Sequence, residues 1–381
     1  MKIAFIVFAL LTITPYVVYP ALLYFWARLK PKKVDAAPIT PEATLLIAAY
    51  NEEKSIRKKI ENSLELNYPK DRLHIAVVTD GSDDETCNIV QEYEKQGVKL
   101  LHDPLRRGKF AAIVRVWDRL PGEIIVLSDA NNLYNTDAVA EMIKNFNDPE
   151  VGGVCGEKMI LENEDDLTPV SKGEGLYWRF ERFVKLQESR IDSICGAMGE
   201  IFALRKELFE SPEKNDIVDD SLYISLNVTL KGRRLIWEPK AQSFEKASVT
   251  LRDEFDRKAR IVAAALQTLP RVSAILNPWK SRIWIQMFFH KILKWFVPIF
   301  MALAFWTNAM IPDPIFRLLF VGQIAFYSMA TAYPVFAIID RRIKLFYYPF
   351  FFCLGNLAAL AGIFKWALNK QSVDWKRFRR G

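Results

Sequence analysis

Four short acidic or amide-bearing stretches stand out by residue type and spacing. Asp129 and Asn131, with one alanine between them, end the apolar run E-I-I-V-L-S-D-A-N (123–131). Two oxygen-bearing side chains that close together at the frayed end of a strand can converge on one hard divalent cation. Asp80 closes a second apolar run, H-I-A-V-V-T-D (74–80), and Tyr50, Asn51 and Glu52 close a third, T-L-L-I-A-A-Y (44–50). An aromatic ring and carboxylates suit a nucleobase and a ribose. Arg106, Arg107 and Lys109 lie in L-R-R-G-K, at the start of a predicted helix. Positive charge and free backbone N–H groups at a helix start favour anions such as phosphates, and Gly108 permits close approach. The fourth stretch, V-D-D (218–220), opens another predicted helix. It reads equally as Asp residues suited to the helix dipole and as a general base. Asn132 is assigned to the turn.

The elements that must position these residues follow from pattern. Apolar runs at 44–50, 74–80, 98–103 and 123–131 alternate with polar segments of helical spacing. That alternation predicts βαβ units and a mostly parallel, Rossmann-like α/β sheet. In such sheets ligands bind beyond the carboxyl ends of the strands. All the strand-end residues named above collect at that edge.

Composition sets further bounds. Of 381 residues, 51% are hydrophobic and 13% aromatic, and the excess lies at the two ends. Residues 3–27 carry no charge, which is long enough to span a bilayer. Arg28, Lys30, Lys32 and Lys33 follow, so the chain after this anchor should start on the cytoplasmic side. Uncharged runs at 295–312, 318–339 and 345–364 predict further membrane segments. The first two form a hairpin through I-P-D-P. A third full span would put the basic tail (KRFRR, 376–380) outside, against the charge rule; the alternative is a segment that is re-entrant or broken at Gly355 and Gly362. The mixed aromatic and basic stretch 279–296 suits an interfacial amphipathic helix or the flank of the next span.

The predicted division is an N-terminal transmembrane anchor (1–29), a linker with three prolines (30–42), a catalytic domain (43–270), an interfacial segment (271–294), C-terminal membrane segments (295–366) and a basic tail (367–381). The protein is expected in the cytoplasmic (inner) membrane as a multi-pass chain with its catalytic domain in the cytoplasm. The four cysteines form no Cys-x-x-Cys pair, and the three histidines show no ligand spacing, which argues against a zinc hydrolase. The net charge is +7, but the basic residues do not gather with aromatics, so no nucleic-acid partner is expected.

Taken together, these stretches resemble the family-2 glycosyltransferases of GT-A fold, and among them the membrane-embedded polysaccharide synthases of the cellulose, poly-N-acetylglucosamine and hyaluronan type. A-A-Y-N-E-E (48–53) is similar to the family's first-strand motif and V-V-T-D-G-S-D-D-E-T (77–86) to its D-D-G-S-x-D signature, with Thr79 in place of the first Asp. S-D-A-N (128–131) resembles the D-x-D motif and V-D-D the base motif. L-Y-W-R-F-E (176–181) and G-A-M-G-E-I-F-A-L-R (196–205) resemble acceptor-side segments. The resemblance implies an inverting hexosyltransferase that uses a nucleotide sugar, with a UDP-sugar favoured, and builds a β-linked polysaccharide. It implies Tyr50 stacked on the base, Glu52 and Asp80 on the base, Lys109 near the diphosphate, Asp129 on the ribose and a metal, and Asp220 as catalytic base. Mg²⁺ or Mn²⁺ would be held by Asp129 and Asn131. Processive members carry Q-x-x-R-W near the membrane. Here the stretch is R-K-A-R-I (257–261), which keeps Arg260 as a diphosphate clamp and replaces the acceptor's tryptophan with Ile261. Tyr177 or Trp178 would then supply the acceptor ring. Single-sugar transfer to a lipid is the alternative, and an inactive nucleotide-sugar-binding scaffold is a third reading. With few spans for a wide channel, a homodimer or an export partner is expected.

Overall fold

The computed structural model describes residues 1–161, 169–213, 217–246, 250–338 and 344–369. The eight strands are β1 (Ala43–Ala49), β2 (Leu73–Asp80), β3 (Val98–Asp103), β4 (Ile124–Asp129), β5 (Leu133–Tyr134), β6 (Val151–Leu161), β7 (Phe202–Arg205) and β8 (Arg234–Lys246). They form one sheet in the order β3-β2-β1-β4-β7-β6-β8-β5. β3, β2, β1 and β4 run parallel, whereas β7 is antiparallel to both β4 and β6. The predicted α/β sheet is therefore present, and its parallel half holds the four strands read from the sequence.

Every residue of β1 is buried. Successive side chains of a strand point to opposite faces. Accordingly Leu45 and Ile47 pack with Val77 and Val126 on one side, and Leu46 and Ala48 with Val78 and Leu127 on the other. Burying each leucine or isoleucine is worth roughly 1.5–3 kcal/mol. That pattern fixes the register of the central strands and places their carboxyl ends side by side.

Among the described residues, five helices are long and apolar enough to cross a membrane: Lys2–Leu29, Leu251–Leu276, Trp284–Ala309, Pro314–Phe336 and Leu345–Ala367. Four match the predicted segments. The fifth, 251–276, was not expected, and 56% of its apolar window is buried within the protein, against 6% for 314–336. The helix from Trp284 continues into the apolar run that ends at Ala309, so 284–296 and that run form one continuous helical stretch. The N-terminal helix packs Leu23 and Ala27 against Val184 and Ile191 of the helix Pro169–Ile191. The linker is tied down by Arg234, which is fully buried and donates to the carbonyls of Lys32, Lys33, Ser189 and Asp192. Lys2 pairs with Asp313 at 2.8 Å, which places the chain's first residues beside the I-P-D-P turn.

The C-terminal helix Lys344–Ala367 is unbroken, so the predicted break at Gly355 and Gly362 does not occur. Gly362 instead allows close crossing: a Cβ there would lie 2.6 Å from the Ala259 carbonyl oxygen and 2.8 Å from Val262 Cβ. Lys365 faces Asp256 at 3.8 Å. The carboxyl end of this helix thus packs against 251–268, on the catalytic domain's side. The KRFRR tail and Asp340–Arg342 lie outside the described residues.

Candidate active site

The site is built where β1, β2 and β4 end. Asp80 is buried at the end of β2, and its two oxygens accept from the backbone N–H groups of Arg107 (2.9 Å) and Gly108 (2.7 Å). These bonds hold the R-R-G-K loop at the start of the helix Lys109–Val116. Gly108 has φ +96°, a conformation glycine adopts without steric cost. Asp80 therefore positions the basic loop.

The loop delivers two cations. Arg106 donates to the Tyr50 hydroxyl at 2.9 Å and lies 3.9 Å from the ring centroid, so one face of Tyr50 is already covered. Lys109 points the other way. Its Nζ lies 2.6 Å from Asp129 Oδ1 and 3.4 Å from Asp220 Oδ2. Burial alone would lower the Lys109 pKa, but the charges of Asp129 and Asp220 outweigh it and hold the ammonium well above its usual range. One half-buried cation therefore joins the end of β4 to the start of the helix Asp220–Leu230.

The two aspartates of V-D-D make different contacts. Asp219 is the N-cap: its Oδ1 accepts from Leu222 N (3.0 Å) and Ser221 Oγ (2.9 Å). Burial, reinforced by the neighbouring Asp220 charge, raises its carboxyl pKa. Capping is satisfied by Asp219, and Asp220 is the residue that meets Lys109.

Glu52 accepts from Ser55 Oγ, and its backbone N–H donates to Thr86 Oγ1 at 2.7 Å. Asn51, in the left-handed region at φ +52°, accepts from Asp83 N at 3.0 Å. The ends of β1 and β2 are thereby tied together. Asn131 is exposed beside Asp129. Arg260 lies within electrostatic range of Asp219, Asp129 and Asp220, whereas Arg257, at the glutamine position of the processive motif, is paired with Glu254 at 2.7 Å. Ile261 is 42% exposed. Tyr177 sits under two ammonium groups, Lys258 at 4.2 Å and Lys294 at 4.8 Å from its centroid. Trp178 packs edge-on to it at 5.5 Å, and its buried indole N–H meets no acceptor among the described residues.

Two residues of this region escaped the sequence reading. Asn132 is fully buried and is more than a turn residue. Its amide donates to the Glu200 carbonyl and to Ser243 Oγ (both 2.7 Å), and its oxygen accepts from Lys59 Nζ (3.0 Å) and Ser128 Oγ (3.2 Å). All its hydrogen-bonding capacity is used inside the core, as a buried amide requires. Lys59 lies behind Asp129 and is completely buried, with Nζ 3.8 Å from the Tyr134 centroid. Burial pushes its pKa down to about 7, against the opposing pull of Asp129 and Glu200. Nothing local marks Lys59, since it stands in a polar helix as lysines usually do.

The donor set suits a hard cation. Asp129 and Asn131 offer oxygen ligands of the type Mg²⁺ and Mn²⁺ select, and the Lys109 ammonium already shows that Asp129 and Asp220 can share one positive charge.

Comparison with known proteins agrees with this arrangement. The mannosyltransferase PcManGT from Pyrobaculum calidifontis, solved in complex with GDP-Man and Mn²⁺, superposes with a TM-score of 0.73 at 21% identity, over 97% of this chain and 99% of that one. The fold is therefore of the GT-A type. Residues 44–211 match the family described as glycosyl transferase family 2, the family that the sequence motifs resemble. The poly-beta-1,6-N-acetyl-D-glucosamine synthase of Staphylococcus aureus (strain COL) is 24% identical over 232 residues, 60% of this chain and 55% of that protein. The probable glycosyltransferase YdaM of Bacillus subtilis (strain 168) is 33% identical over 137 residues, 34% of this chain and 33% of that protein. The chain thus spans about half the length, or less, of these curated relatives.

Proposed function

We propose that this chain is a membrane-bound inverting glycosyltransferase that adds sugars from a nucleotide-sugar donor to a growing β-linked polysaccharide. The observation that carries this reading is the Lys109 ammonium held between Asp129 and Asp220, at 2.6 and 3.4 Å, beyond the carboxyl ends of parallel strands. That edge is where this sheet type binds its ligands. Tyr50 and Glu52 serve the base, Asp129 the ribose, and Lys109 and Arg260 the diphosphate. Asp129 and Asn131 would hold Mg²⁺ or Mn²⁺, whose charge would stabilise the departing diphosphate. Asp220 takes the proton of the acceptor hydroxyl. The hydroxyl oxygen then bonds to the anomeric carbon as the carbon–phosphate-oxygen bond breaks, the nucleoside diphosphate leaves, and configuration inverts. Tyr177 and Trp178 line the acceptor side, where the unpartnered indole N–H of Trp178 is a donor left for a sugar hydroxyl. In the same reading the apolar helices hold the domain at the cytoplasmic face of the membrane. Residues 1–29 are the anchor, 30–42 the linker, 43–270 the catalytic domain and 271–366 the membrane-proximal and membrane segments.

A second reading, transfer of one sugar to a lipid, draws support from Ile261, an exposed aliphatic side chain where the processive pattern has a ring.

The test uses membranes carrying wild type or Asp220→Asn, with radiolabelled UDP- and GDP-sugars and Mg²⁺ or Mn²⁺. Products are separated by size and by extraction into organic solvent. A large water-soluble product from wild type alone supports the polysaccharide reading. Label in the organic phase moves the assignment to the lipid acceptor. Equal turnover in both proteins removes Asp220 from the base role. No turnover with any donor leaves a nucleotide-sugar-binding scaffold.

A further inference from the structure

A second group of chemically versatile side chains lies away from the cleft, where the N-terminal helix meets the domain. A carboxylate oxygen of Glu188, the sulfur of Cys195 and a ring nitrogen of His290 all lie within 4.8 Å of one another. His290 Nδ1 is 2.9 Å from Glu188 Oε1 and 3.2 Å from Cys195 Sγ. The three are 0%, 1% and 2% exposed. None belongs to the donor or acceptor machinery assigned above.

From this cluster we infer a structural zinc site formed by Glu188, Cys195 and His290. Zinc takes tetrahedral nitrogen, sulfur and oxygen ligands, and its bond lengths of about 2.0–2.3 Å place neighbouring ligand atoms roughly 3.3–3.6 Å apart. The observed 2.9 and 3.2 Å separations need to widen by only a few tenths of an ångström. A second, independent observation points to a ligand: Glu188 Oε2 is sealed from solvent and has no hydrogen-bond partner among the described residues. An orphaned carboxylate oxygen in a buried site costs free energy unless something positive meets it.

The surroundings fit as well. His290 Nε2 lies 3.2 Å from Glu181 Oε2, and Glu181 is in turn paired with Lys294. A carboxylate on the far nitrogen is the arrangement that fixes the tautomer and orientation of a metal-bound histidine. Tyr19 donates to Glu188 Oε1 at 2.7 Å, bringing a hydroxyl to the edge of the cluster, where it or a water would complete the tetrahedron. Binding would release the Cys195 proton. Zn²⁺ with one thiolate and one carboxylate is then a neutral unit, which a buried location tolerates far better than isolated charges. The site would join three segments that local sequence does not hold together: the N-terminal helix, the helix 169–191 with its following loop, and the helix from Trp284.

The test is metal content and cobalt substitution on the purified full chain in detergent. Wild type should retain about one zinc per chain through desalting. The Co²⁺-loaded protein should show a thiolate charge-transfer band in the near ultraviolet. That band cannot arise from Asp129 and Asn131, which offer no sulfur, and its loss in Cys195→Ser separates this site from Cys87 beside His102. Asp129→Asn should keep the zinc, whereas Cys195→Ser and His290→Gln should lose it, and the band should vanish in Cys195→Ser. The cobalt measurement on wild type stands even where a variant folds poorly. A folded wild type with no zinc and no cobalt–thiolate band overturns the proposal. Metal content unchanged in both variants overturns it equally.

Discussion

Replacing Lys109 with methionine removes the cation between Asp129 and Asp220 while keeping much of the side chain's length and apolar stem. The lysine Nζ stands 2.6 Å from one carboxylate and 3.4 Å from the other. At an effective dielectric constant of about 20, these separations correspond to roughly 6 and 5 kcal/mol of gross attraction. Most of that is cancelled by the cost of removing three charges from water. Breaking a buried pair by deleting one partner costs about 3–5 kcal/mol net. The side chains are 17%, 24% and 13% exposed, so the lower end, about 3 kcal/mol, is the expected loss. Because the folded-state pKa of Lys109 is raised, its contribution is fully present below the unfolded lysine value near 10.4 and fades only above it. The loss should therefore be the same from about pH 6 to 9. Thermal unfolding of the detergent-solubilised protein measures it. Lys109→Arg, which keeps the charge, should lose less. Added Mg²⁺ or Mn²⁺ should raise the melting midpoint of Lys109→Met more than that of wild type, since a divalent ion can replace the missing ammonium. Turnover should fall about 100-fold, the usual effect of deleting one preorganised charge at a reacting group. A Lys109→Met protein that melts with wild type and turns over at the same rate would refute this account.

Three further outcomes follow from the same structure. Asp80→Ala leaves the Arg107 and Gly108 N–H groups without their acceptor; stability should fall by about 1–3 kcal/mol, and donor affinity, measured by fluorescence titration with a nucleoside diphosphate, should weaken as the basic loop loosens. Lys59→Met tests the buried lysine: burial holds its folded pKa at about 7, below the ordinary lysine value of 10.5, so the unfolded state binds more protons between these values and wild-type stability rises with pH across that window. The stability gained by Lys59→Met should therefore be largest below pH 7 and shrink towards pH 10, and a pH-independent difference in melting midpoint would contradict it. Gly362→Leu places a branched side chain where even a Cβ would meet the Ala259 carbonyl; overpacking of that kind costs about 1–3 kcal/mol, and faster proteolysis at the junction of the C-terminal helix with 251–268 would report it.

The parallel half of the sheet and its polar edge were legible in the sequence because strand periodicity and turn chemistry are local. Four apolar runs alternating with helical segments are compatible with few other folds, and three of them, β1, β2 and β4, end at the site. Asp80 and Asp129 are found at that edge for this reason. The apolar stretches long enough to cross a membrane were likewise visible, since length and absence of charge are properties of the chain alone.

What each of those residues touches was decided by packing. V-D-D offered a cap or a base with equal right, and only the approach of Lys109 from 111 positions earlier in the chain separates Asp219 from Asp220. S-D-A-N-N reads as one polar turn, yet Asn132 is drawn into the core by Lys59 and Ser243, which lie 73 and 111 residues away. Glu188, Cys195 and His290 have no metal-ligand spacing, because the helix carrying His290 reaches the other two from 95 to 102 residues away. A residue's type and its place on a strand or helix follow from its near neighbours. Its partner is chosen when distant segments meet, and in a buried site that partner determines which charges survive.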